Sequence, residues 1–157
     1  MRWILLCILV LAGCGSRTVV LRDDWRGTLA VHTTAHEVYR DQFAIVEVRP
    51  VVVTSDQGAA FAVLTNVRRR DANEPRIVRM TSGDTLLRYT RHDRLRTHCI
   101  DGCQKAEVGA IHLSRKAFVI AASTGLPLRI WGQRGRYGGV VPAHAFADAL
   151  SRLADVR

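Results

Sequence analysis

The chain has 157 residues, of which 48% are apolar and 24% charged. That is ordinary for a globular protein, enough for one core and too short for two. Its formal charge is +9, from 23 basic against 14 acidic side chains, and no repeat or low-complexity tract interrupts it. So basic a balance bears on solubility and anionic partners, and not on fold or activity.

The first element in chain order is a targeting segment. Arg2 supplies a positive start, Trp3 to Leu11 is apolar, and Ala12-Gly13 are the small residues that a processing enzyme accepts. The apolar run falls well short of the roughly 20 residues a membrane-spanning helix needs. Leu11-Ala12-Gly13-Cys14 resembles the lipobox of bacterial lipoproteins. The resemblance implies that residues 1–13 are a signal peptide and that the Cys14 sulfur carries a diacylglyceryl group and becomes the mature amino terminus. A lipidated start and short tether are then expected over 14–26, and the length that remains suits one domain over 27–157. Cys7 and Arg2 leave with the signal, so the mature charge is +8. Two or three acyl chains anchor a protein firmly without spanning the bilayer. In the Gram-negative lipoproteins that this motif resembles, the lack of an aspartate after the cysteine, here Gly15-Ser16, implies the periplasmic face of the outer membrane. In a Gram-positive envelope the same motif places the domain outside the cytoplasmic membrane.

Threonines and valines around His32 and His36 favour a strand. Phe43 to Thr54 is rich in β-branched residues, and Pro50 in its middle predicts an edge strand or a bulge. Ala59 to Arg70 alternates, putting Phe61, Val63, Thr65 and Val67 on one face. After the turn at Asp71 to Pro75, strands are expected at Ile77 to Met80, Thr85 to Thr90, Leu95 to Cys99 and Lys105 to His112. Ser114 is placed to cap a helix that Leu113 and Phe118 staple and Gly125 ends. Leu126 to Trp131 and Tyr137 to Val141 read as a hairpin with Trp131 paired to Tyr137. Pro142 fits the first position of a closing helix bearing Phe146, Ala149, Leu150 and Leu153. The expected class is α+β, a mainly antiparallel meander with two short helices packed on one face.

Cys99 and Cys103 are the remaining thiols, and an oxidising periplasm favours their pairing. Ile100-Asp101-Gly102 suits a three-residue hairpin loop. The two cysteines then face each other at a Cα separation of about 4.5 to 5.5 Å, within disulfide range. So short a closed loop is worth only about 2 kcal/mol. A redox dithiol prefers C-x-x-C at a helix start, and a zinc site with His92 and His98 lacks a second ligand pair.

Nine arginines lie between Arg68 and Arg96, against Asp71, Glu74, Asp84 and Asp93. On an extended strand Arg94, Arg96 and His98 share a face, and Arg88 on the same face would complete an anion-binding surface. Arg134 and Arg136, in the glycine-rich run Gly132 to Gly139, are the other candidates. No nucleophile elbow, S-x-x-K motif, phosphate loop or cofactor fingerprint is present. His32 and His36 have zinc-ligand spacing, but position 33 is threonine, not the glutamate such a helix motif requires. The expected function is a non-catalytic binding or structural module. Its partner would be another envelope component, a protein or an anionic glycan or lipid, with no cofactor, metal or nucleic acid. The alternative is a small envelope hydrolase with a metal site built from His32, His36, His92 or His98.

Overall fold

A computed structural model describes residues 18–23, 27–71, 73–99 and 103–155, with the backbone alone at 94–99 and 103. The segment expected to be a signal peptide and Cys14 lie outside the described residues, as do residues 100–102. The described chain forms β1 (Val19–Asp23), β2 (Thr28–His32), β3 (His36–Arg40), β4 (Ala44–Ser55), β5 (Gly58–Arg69), β6 (Ile77–Ser82) and β7 (Thr85–Leu86). There follow β8 (Arg88–Cys99), β9 (Cys103–Leu113), α1 (Arg115–Thr124), β10 (Leu126–Gly132), β11 (Gly135–Val141) and α2 (Ala143–Asp155). Residues 19–23, placed in the tether by the sequence, pair with Thr28–His32 as an outer strand.

The class is α+β, and its antiparallel strands divide into two sheets. The first runs β1-β2-β4-β5-β9-β8 with β3 also on β4; the second runs β11-β10-β6-β7. The stretch expected as one strand from Thr85 is split at Leu87, whose N–H donates to the Met80 carbonyl at 2.9 Å. Half-buried Leu87 packs against the core there, so the chain crosses from the second sheet to the first.

β4 is neither an edge strand nor bulged at Pro50. It pairs with β5 along its whole length and, on its other side, with β3 at one end and β2 at the other. The Pro50 carbonyl accepts from Thr33 at 3.3 Å in the gap between those two partners. A residue's N–H and C=O leave a strand on the same side, so the missing donor of Pro50 faces that gap and costs no ladder bond.

The alternation read in β5 holds: Phe61, Val63, Thr65 and Val67 are buried. This face meets Met80, Leu128, Ile130, Tyr137 and Val141 of the second sheet and the apolar stripes of both helices. Phe118 lies between Phe61 and Phe146, with ring centroids 5.3 and 4.9 Å away. Phe118 and Phe146 are fully buried, each worth about 2–3 kcal/mol. Ser114 caps α1 by accepting the Ala117 N–H at 3.1 Å. Gly125, at φ 74°, ends it and donates to Ala121. Pro142 stands one residue before α2, its carbonyl accepting from Ala145 at 3.1 Å.

Candidate functional site

Among the described residues, unneutralised positive charge gathers on the outer face of the second sheet. In β10, Leu126, Leu128 and Ile130 point into the core, so period-two alternation turns Arg129 and Trp131 outward. The two-residue turn Gln133-Arg134 closes on Gly132 opposite Gly135, and this sets Trp131 against Arg136 and Ile130 against Tyr137. The expected Trp131–Tyr137 pair is therefore one residue out of register. Tyr137 is core, and Trp131 is half-buried on the outside.

On the other side of β10, β6 brings Arg79 opposite Trp131, with Val78 the extra residue of a bulge. The Arg79 guanidinium carbon sits 5.3 Å from the indole centroid, within cation–π range. Arg129, one row along, lies between Thr81 and Gly138. Arg79, Arg129 and Arg136 are exposed, and the four strands of this sheet contain no acidic residue. Among the described residues these three form no ion pair, whereas Arg40, Arg68, Arg69, Arg76, Arg91 and Arg152 each hold a carboxylate. Planar guanidinium forks on a rigid sheet suit phosphate or carboxylate oxygens.

The five arginines picked from the sequence are not gathered. Arg136 belongs to this face. Arg134 is exposed in the adjoining turn, and its carbonyl accepts from Arg69 at 3.0 Å. Arg88 is on the edge strand β8 of the other sheet, opposite His112. A register shift between Arg91 and Asp93 brings Arg94 opposite Glu107, the reverse parity to Arg88. A second shift between Leu95 and His98 leaves Arg96 without a ladder partner. A single exposed row from Arg88 to His98 is thus broken by two bulges, which reset the alternation it needs. Arg79, Arg129 and Trp131 were missed. The alternation of β10 points to Arg129, but Arg79 is found only once β6 is known to pair with β10.

The glycines of this hairpin serve close packing. A Cβ at Gly139 would collide with the Val38 carbonyl of β3, and one at Gly132 with the Pro75 carbonyl. Two buried polar groups tie the layers together. Arg69 donates to the Tyr137 hydroxyl at 2.9 Å and grips Asp71 with two nitrogens, which holds the Asp71 carboxyl well below the usual carboxylate range. Glu107 accepts from the Ile77 N–H and the Tyr89 hydroxyl, both at 3.2 Å, and pairs with Arg91 at 3.0 Å.

The histidines proposed for a metal site are dispersed. His32 ends β2, with Nδ1 3.0 Å from the Thr33 carbonyl. His92 is exposed on β8, at the opposite edge of the sheet, and the His98 side chain is outside the described residues. His36 meets His144 of α2 edge to face at 5.3 Å. Among the described residues no group of three or more His, Cys, Asp or Glu is arranged to hold a metal ion. Cys99 and Cys103 stand opposite each other in the β8–β9 ladder, as the hairpin reading expects. Comparison with protein families, curated proteins and solved structures finds no match for this chain.

Proposed function

We propose that this chain is a lipid-anchored module of the bacterial envelope, attached through Cys14 at the periplasmic face of the outer membrane. Its folded domain acts without catalysis, binding phosphate or carboxylate groups of an envelope glycan or lipid through the outer face of the second sheet. The observation that carries the binding reading is the row Arg79–Trp131–Arg136 with Arg129 beside it, on strands free of acids. Trp131 packs against Arg79, so that guanidinium gives up less side-chain freedom on binding than a free one would. The lipobox resemblance supports the location, and a Cys99–Cys103 disulfide belongs with it.

The binding half is tested by titrating the protein with polyphosphate and with polygalacturonate while following Trp131 fluorescence in a Trp25→Phe background. Saturable binding that weakens steeply with salt is expected. Combined Arg79→Glu, Arg129→Glu and Arg136→Glu should abolish it, with the thermal midpoint nearly kept because all three side chains are exposed and form no ion pair, the lost Arg79–Trp131 contact costing about 1 kcal/mol at most. Unchanged binding by that variant overturns the assignment to this face.

A further inference from the structure

The open face of the first sheet holds a second, unrelated feature. Glu47, Asn66 and Val108 lie in register across β4, β5 and β9, and Arg49 and Leu64 form the next row. Because β9 presents only Ala106, Val108 and Ala110 here, beside long side chains on β4, a hollow of about 200 Å³ forms. Glu47, Arg49, Leu64, Asn66 and Val108 line it. Arg68 holds Glu47 at 2.7 Å. The Asn66 Oδ1 and Arg68 Nε atoms are nevertheless buried with no hydrogen-bond partner. The Asn66 oxygen lines the hollow and calls for a donor, which an absent ligand would supply. Arg49 is exposed and forms no ion pair among the described residues.

The hollow therefore has a guanidinium at one end, a carboxylate and an amide acceptor beyond it, and an apolar floor. We propose that it binds a small zwitterion, a free aliphatic α-amino acid. The ligand carboxylate is received by Arg49, the ammonium by Asn66 Oδ1 and Glu47, and the short side chain by Leu64 and Val108. A simple cation would meet Arg49, and a simple anion would leave the Asn66 oxygen without a donor, so both charges are needed. The volume lies below the roughly 300–1,000 Å³ of pockets for drug-sized ligands, which suits a molecule of amino-acid size.

The test is to titrate the detergent-purified mature protein with L-valine, N-acetyl-L-valine and L-valinamide, following the Asn66 carboxamide resonances. Valine should shift them saturably, and each derivative, lacking one charge, should bind at least about tenfold more weakly. Arg49→Gln should lose a similar factor at an unchanged thermal midpoint. Equal binding of all three compounds, or no Asn66 shift at saturating valine, overturns the proposal. Weakening by valinamide alone also overturns it and leaves a plain carboxylate site.

Discussion

His36 couples the burial of one side chain to its protonation. Burial first, and the neighbouring His144 second, lower its pKa below the ordinary 6.5, while Asp148 pulls the other way. These surroundings favour the neutral imidazole, with Nε2 buried and unpartnered. A depressed histidine contributes stability that is complete above the unfolded value and lost as pH falls through the lower folded one. The thermal midpoint should fall on acidification below about pH 6.5, and His36→Gln should flatten that slope, as read by fluorimetry across a pH series. Glu107 is a different case. It is 1% exposed, and its partners come from β6 and β8. Within its own strand it looks like an ordinary surface acid, so nothing in the β9 sequence marks it as buried. Glu107→Ala leaves the Ile77 N–H and the Tyr89 hydroxyl without this acceptor and Arg91 without its carboxylate, and urea unfolding should show a loss of about 3 kcal/mol.

At the scale of elements, legibility followed periodicity. β5, α1 and α2 were readable because a core face imposes a repeat and a cap marks each end of α1. Five-residue β1 and β3 lack such a repeat, and they are held by pairing with β2 and β4. The β10–β11 hairpin was readable but its register was not, since Trp131 and Tyr137 make a plausible aromatic pair and only the two-residue turn excludes it. The same hairpin explains its glycines. β3 crosses β11 so closely that Gly139→Ala drives a methyl group into the Val38 carbonyl. That substitution should cost about 2–3 kcal/mol and raise hydrogen exchange in His36–Arg40 before the rest of the sheet. Exchange unaltered in β3 would contradict this packing.

For the whole molecule, the α+β class was legible because strand signals fill the chain as far as Leu113 and both helix signals come after it. The division into two sheets was not, since it depends on β6 and β7 leaving the β5–β9 pair. That detour creates the candidate site: it carries Arg79 across to Trp131, and so turns a hairpin with two outward arginines into a three-arginine face. It also leaves the far side of the first sheet open, where the zwitterion hollow lies. The envelope reading makes both surfaces periplasmic and rests on Leu11-Ala12-Gly13-Cys14. Its most direct measurement is the intact mass of the protein extracted from bacterial membranes. The account predicts a chain that begins at Cys14 and carries a diacylglyceryl group. A chain recovered unlipidated, with residues 1–13 still in place, would contradict it.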